Sequence, residues 1–271
     1  MLIAQITDTH IKTQGRRAYG VVDTEQMLHE CVRTLQALDP QPELIVFTGD
    51  LVDFGTPEEY ACLRSILAPL KQKLLLVPGN HDERSALRAA FAEHHWLPGK
   101  GFLHYAVDIG PLRIIGLDTL IPGEGGGELC AERLAWLEAT LAAAPTAPSL
   151  ILMHHPPFAT GIAHMDAIGL RGREAFARLI ERHRQVRLIL CGHLHRNIQT
   201  LVGGCRALTC PSPAHQVALD LRPDGPSCFR MEPPGFMLHR WDGENFLTHS
   251  VCIGSFPGPF PFFDPSGRLL D

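Results

Sequence analysis

Asp8-Thr9-His10, Gly49-Asp50, Gly79-Asn80-His81-Asp82, His154-His155-Pro156-Pro157 and Gly192-His193-Leu194-His195 are the clusters in this chain whose residue types can do chemistry. Asp supplies a hard charged oxygen, His a neutral imidazole nitrogen and Asn a neutral carbonyl oxygen. That donor mixture suits Mn, Fe, Co or Zn rather than an all-oxygen calcium site. Seven side chains, Asp8, His10, Asp50, Asn80, His154, His193 and His195, exceed what one catalytic ion with an open position can use. Two divalent ions sharing one carboxylate accommodate the set. At the ~3.5–4 Å separation of two-metal sites, a bridging hydroxide can attack phosphorus while the ions stabilise the attacking and leaving oxygens. A single Asp or His is usually structural or solvated, but five such clusters in one chain carry weight together.

The elements that must position these residues alternate in type. Each cluster follows a short apolar run, so the polar side chains fall where strands end. Leu2–Thr7, Leu44–Thr48, Lys73–Val77, Leu112–Leu117, Leu150–Met153 and Leu188–Cys191 read as strands. Thr24–Asp39 reads as a helix with Asp23 and Gln26 as a cap pair. A second helix opens on the capping box of Thr56 and Glu59, with Pro57 in its first turn. Further helices are expected near Cys130–Ala143 and Arg173–Arg184. This order predicts an α/β domain with parallel strands joined by helical crossovers, and ligands gathered at the carboxyl ends of the strands. After His195 the pattern changes: Asn197–Leu208 reads as strand-turn-strand around Gly203-Gly204, within an irregular or β-rich portion. Phe256–Phe263 alternates Pro with Phe and is expected to be irregular, packing its rings.

Composition narrows the function classes. At 271 residues the chain can bury a substantial core, and its net charge of -5 with no long basic run argues against nucleic acid polymers and anionic lipid as partners. Met1–Ile6 has no basic leader and meets Asp8 before an apolar signal region can form, and no apolar segment is long enough to span a bilayer. The cytoplasm is the expected compartment. Eight cysteines without a CxxC spacing read as small buried hydrophobes rather than a disulfide scaffold.

The series DxH, GD, GNHD, HHPP and GHxH resembles the calcineurin-like metallophosphoesterase superfamily in order and interval. MLIAQITDTH, Tyr19–Asp23, the GTPEEY after the second motif and Met165-Asp166 resemble the branch of bacterial glycerophosphodiesterases and class III cyclic-nucleotide phosphodiesterases. The resemblance implies an αββα sandwich, two central mixed sheets flanked by helices, with a small C-terminal cap and dimerisation portion. Residues 1–195 plus 255–271 would form the catalytic domain and 196–254 the cap, giving a homodimer or a higher even-numbered homo-oligomer. It also implies that Asp8, His10 and His195 hold one metal, that Asn80, His154 and His193 hold the other, and that Asp50 bridges. His81 is the implied group for stabilising transition-state charge or protonating the leaving alkoxide. His215 matches a further active-site histidine of that branch.

Two divalent ions, offset by Asp8, Asp50 and a bridging hydroxide, leave one net positive charge, which matches a monoanionic phosphodiester. The expected function is therefore hydrolysis of small phosphodiesters, glycerophosphodiesters or 3′,5′-cyclic nucleotides. A phosphomonoesterase or phosphoprotein phosphatase is the alternative, and a non-catalytic scaffold is weighed against by the intact ligand set. Asp53 and Asp82 are placed to orient ligand imidazoles or to cap helices, and Tyr19 to line the pocket or pack. Arg171 and Arg173 read as solvated charges at a helix start, with contact to substrate phosphate as the other reading, and His155 as a residue that supports a ligand or packs rather than a ligand itself. The remaining histidines, including His104, His164 and His239, are expected in surface roles.

Overall fold

A computed structural model describes residues 1–270 of the chain. In chain order the strands are β1 (Leu2–Ile6), β2 (Leu44–Thr48), β3 (Lys73–Val77), β4 (Tyr105–Ile109), β5 (Leu112–Leu117), β6 (Gly127–Glu128) and β7 (Ser149–Met153), then β8 (Leu170–Arg171), β9 (Val186–Cys191), β10 (Gln199–Val202), β11 (Cys205–Thr209), β12 (Gln216–Val217), β13 (Phe229–Arg230), β14 (Gly235–Trp241) and β15 (Phe246–Cys252). The helices are α1 (Thr24–Gln36), α2 (Pro57–Leu67), α3 (Arg84–Ala90), α4 (Ala131–Ala142), α5 (Ala163–Asp166) and α6 (Arg173–Arg182). None is long and apolar enough to cross a membrane.

Two sheets carry the architecture, with orders β15-β14-β1-β2-β3 and β10-β11-β9-β7-β5-β4. Both are mixed: β1, β2 and β3 run parallel, as do β5, β7, β9 and β11, while β4, β10, β14 and β15 are antiparallel additions. Because side chains alternate across a strand, each inner strand serves two cores. Ile3, Leu44, Val46, Leu150, Leu152, Leu188 and Leu190 pack between the sheets. Ala4, Ile6, Ile45 and Phe47 turn outward to meet Leu28, Leu35 and Leu63 of α1 and α2. On the far side, Ile151 and Ile189 meet Leu137 and Phe176 of α4 and α6. The result is the αββα sandwich, each fully buried Leu or Ile contributing ~1.5–3 kcal/mol.

Local signals work as the sequence implies at α1 and α2. Asp23 accepts a hydrogen bond from the Gln26 amide, and Thr56 and Glu59 close a capping box with Pro57 in the first turn. Helix α1 stops at Gln36 rather than Asp39, since Pro40 disfavours helical backbone at the residue before it. Asn197–Leu208 forms the β10–β11 hairpin.

The segment 196–254 contributes to both sheets: β10 and β11 extend one, and β14 and β15 extend the other beside β1. Its part outside the two main sheets runs through β12 and β13, which pair with each other. The terminal phenylalanines differ from expectation. Phe256, Phe260, Phe262 and Phe263 expose their rings, because the Pro- and Gly-broken backbone lies on the surface. Two histidines expected at the surface are buried instead. His239 bonds Gln5 of β1 and Thr248 of β15, while His104 accepts the Asp118 amide at Nδ1 and leaves Nε2 buried without a partner.

Candidate metal centre

β1, β2 and β3 release Asp8 and His10, Asp50, and Asn80 and His81 from one sheet, while β7 and β9 release His154 and the His193/His195 pair from the other. All seven expected ligands meet at the seam between the sheets. His154 Nε2 lies 3.1 Å from Asn80 Oδ1 and 3.3 Å from Asp50 Oδ2, and His10 Nε2 is 3.7 Å from that same Asp50 oxygen. His195 Nε2 lies 3.5 Å from Asp8 Oδ1. The His193 ring is 5.1 Å from that of His154, centre to centre.

The backbone is forced to make this convergence. Asp8, His10, Asp50, His193 and His195 all adopt left-handed φ between 44° and 71°, and Tyr19 is the only other non-glycine residue among those described to do so. Such a conformation costs an L-residue ~1–2 kcal/mol, and it persists only where the surroundings fix it. Gly79 and Gly49 let the loops touch. A Cβ at Gly79 would collide with the Asp50 carboxylate, and one at Gly49 with the His154 ring.

Hydrogen bonds to the outer ring nitrogens aim the inner ones. His195 Nδ1 donates to the His215 carbonyl and His154 Nδ1 to the Thr48 carbonyl, each at 2.8 Å, while His10 Nδ1 donates to Asp53 Oδ1 at 3.2 Å. Each turns its Nε2 inward. His193 does the reverse, spending Nε2 on the Ile168 carbonyl at 3.2 Å and leaving Nδ1 free. The Nε2 atoms of His10 and His195 then face each other at 3.2 Å. At that separation the two nitrogens can share a proton or serve as two ligands of one cation.

Charge tells the same story. Burial pushes Asp8 up to about 6 despite nearby His154. Burial also pushes Asp50 up, but His154, His81 and His10 outweigh it and hold it well below the usual carboxylate range. Burial works against a charge on His154, yet Asp50 and Asp8 raise it to about 9. Burial holds His193 and His195 well below the usual imidazole range, as neutral donors. The surrounding carboxylates thus draw positive charge onto His154 and His10 while His193 and His195 stay neutral, and this mixture of carboxylate, imidazole and amide donors fits divalent metal ions.

The other expected site residues fall into place around this set. His81 sits above it, its amide donating to Asp50 Oδ1 at 2.9 Å and its Nδ1 to the Asp53 carbonyl at 2.8 Å, with its ring partly open to the cavity. His215 stacks edge-on against His195 at 4.6 Å and is pushed by burial down to about 3. Its Nδ1 is buried without a partner, and His10, His195 and His215 offer nitrogens within 4.8 Å of one another. Asp53 orients His10 and is itself braced by Lys12 Nζ at 2.5 Å. Asp82 neither caps nor touches an imidazole. It accepts from the Leu51 and Gly79 amides and the Tyr60 hydroxyl, tying two ligand loops together, while Glu83 caps α3. Arg171 pairs with Glu124 and Arg173 with Glu174, away from the cavity.

One cluster escapes the motif reading, although it repeats the pattern of an apolar run followed by polar residues. After β5, Thr119 Oγ1 meets His155 Nδ1 at 2.8 Å. His155 Nε2 is engaged by the Gly125 carbonyl, so both its nitrogens are occupied and its ring packs on His193 and His154. Beside Thr119, buried Asp118 takes a two-pronged ion pair from Arg84 at 2.6 and 2.9 Å.

Over the donors lies a cavity of about 340 Å³. Its outer wall comprises Tyr19, Met165, Ile168, Val217 and Phe229, with His164, Ser227 and Cys228 at the rim, and among the described residues no Lys or Arg lines it.

Known proteins share the fold and the sequence. A zebrafish (Danio rerio) dimetal phosphatase shares the fold at a TM-score of 0.65 and 15% identity, over 94% of this chain and 99% of that one. A protein of Arcobacter nitrofigilis named a probable glycerophosphodiester phosphodiesterase is 43% identical over the full length of both chains. A 3′,5′-cyclic adenosine monophosphate phosphodiesterase of Pseudomonas aeruginosa is 33% identical over 89% of this chain and 84% of its own. With residues 1–197 matching the calcineurin-like phosphoesterase family as well, the chain belongs to that family, on the branch whose members carry these phosphodiesterase names.

Proposed function

We propose that the chain is a metal-dependent hydrolase of small phosphodiesters, namely glycerophosphodiesters, 3′,5′-cyclic nucleotides or both, working at a centre of two divalent ions. The observation that carries this reading is Asp50 Oδ2, flanked by His10 Nε2 on one side and His154 Nε2 on the other. Asp8, His10 and His195 would hold one ion, Asn80, His154 and His193 the second, with Asp50 shared. When bound, such ions supply Lewis acidity and a water-derived nucleophile at neutral pH.

The chain's own residues do the rest. His81, pinned through Nδ1, presents Nε2 to the cavity, where as an imidazolium it donates to a phosphoryl oxygen or hands its Nε2 proton to the leaving alkoxide and is left neutral. His215, neutral and short of a partner, offers a contact to a bound phosphoryl group. The wall of Tyr19, Phe229, Ile168 and Met165 takes the alcohol portion of the ester and excludes water. A cavity with no Lys or Arg in its lining favours a monoanionic diester over a dianionic monoester. The catalytic unit then takes in residues 1–195 together with β10, β11, β14 and β15, which complete its two sheets, while the stretch through β12 and β13 narrows the entrance through Val217 and Phe229 and carries the contacts of a homodimer.

The test is a substrate panel with manganese- or cobalt-loaded protein. It should cleave bis(p-nitrophenyl) phosphate and at least one of glycerophosphocholine, glycerophosphoethanolamine and cyclic AMP, with kcat/KM above that for p-nitrophenyl phosphate, and a chelator should abolish turnover. Preference for the monoester, or turnover insensitive to chelation, overturns the reading.

A further inference from the structure

Three guanidinium groups share one hollow at the amino end of β9, away from the metal centre. Arg184 and Arg187 flank the start of that strand, Arg206 stands on the adjoining β11, and the Gly203-Gly204 turn with Asn245 helps enclose a volume of about 330 Å³. At ~3.3 Å per residue along β9, Arg187 lies ~20 Å from His193.

The charge of this hollow runs against that of the chain, which is net negative at -5. Elsewhere many arginines rest on carboxylates, among them Arg64 on Glu93, Arg84 on Asp118, Arg196 on Glu232 and Arg222 on Asp220. Among the described residues no carboxylate lies within ion-pair distance of Arg184, Arg187 or Arg206, and the nearby Glu138 is taken up by Arg182 and His183. Arg206 is anchored by a 2.5 Å hydrogen bond from Nη2 to the Phe246 carbonyl, which leaves its other donors available. The turn makes room for the charges. Gly203 and Gly204 adopt left-handed φ of 56° and 79°, and a Cβ at Gly204 would come within 3.1 Å of Arg184 Nη1.

We infer that this hollow is a second, non-catalytic binding site for a small phosphate dianion, either a phosphomonoester or inorganic phosphate. Forked guanidinium donors match phosphate oxygens, and three positive charges with no carboxylate in ion-pair contact select a dianion over the monoanion of a diester. Nothing in the arrangement depends on the activity proposed for the metal centre.

Isothermal titration of the metal-loaded protein with inorganic phosphate, glycerol 3-phosphate and dimethyl phosphate tests it, on the native chain and on Arg187→Gln/Arg206→Gln. The native chain should bind the dianions at a site that the double variant weakens about tenfold or more, while dimethyl phosphate leaves that site untouched. Hydrolysis of bis(p-nitrophenyl) phosphate should be unchanged. The ratio of the two dianion affinities reports whether an organic group adds to the phosphate contacts. Arg184→Gln, which removes no hydrogen bond made by that side chain among the described residues, should weaken the same site and guards against a folding defect in the double variant. Superimposable isotherms for the native chain and both variants, or binding and hydrolysis lost in parallel, would overturn the assignment.

Discussion

The floor and the outer wall of the cavity are built in different ways. The floor is drawn from loops that begin where parallel strands of two sheets end, and buried hydrogen bonds such as those from His154 to the Thr48 carbonyl and from His195 to the His215 carbonyl fix each donor. The wall comes from slight elements: Tyr19 in a turn, Met165 on the four-residue α5, and Val217 and Phe229 on the two-residue strands β12 and β13. Chemistry is placed where the backbone is over-determined. Recognition is placed where one side chain can change without disturbing the sandwich.

Substitutions can break that contrast. Asp50→Ala should have the largest effect, lowering kcat/KM by about 10³-fold or more and reducing bound metal measured by elemental analysis. An active, metal-replete Asp50→Ala would refute the assigned floor. His81→Ala should lower kcat by about 10²–10³-fold with metal content and KM little changed, because it removes a proton donor and no ligand. Behind the floor, Arg84→Met leaves the buried Asp118 carboxylate without its partner and should cost about 3 kcal/mol in denaturant unfolding. An unshifted midpoint would show that Asp118 finds its charge elsewhere.

Acid should weaken the scaffold before it touches the wall. Burial lowers His239 to about 3 and His104 to about 4, so both are neutral when folded and take up protons on unfolding below their ordinary value of 6.5. Stability is fully present above pH 6.5 and falls as pH drops toward these folded values, by about 2 kcal/mol per histidine at pH 5. Urea midpoints from pH 7.5 to 5 check the slope, which should flatten in His104→Phe. Phe229→Ala should do least, raising KM for aryl diesters by about fivefold while kcat and melting temperature stay near native. A large loss of kcat there would move Phe229 from wall to floor.

The same contrast explains what the sequence could disclose. Each ligand follows a short apolar run within a few residues, so donor set, strands and capped helices are readable locally. Asp118 and Thr119 obey the same rule after β5, and only the lack of a recognised motif hides them. Strands β14 and β15 are harder, since they are antiparallel additions with polar residues such as His239 and Arg240 among the apolar ones. The burial of His239 depends on Gln5, 234 positions away, a partnership no local pattern contains. The wall is least readable because its members share a surface and no spacing.

The seam between the sheets gives the site a mechanical role as well. Asp8, Asp50 and Asn80 belong to one layer and His154, His193 and His195 to the other, so any ion gripped by this set is a cross-brace between two slabs otherwise joined mainly by apolar packing. Such a brace resists shear where greasy surfaces slide most easily. It also ties the stability of the whole sandwich to metal supply, since a ligand bound only by the folded state raises its stability by mass action.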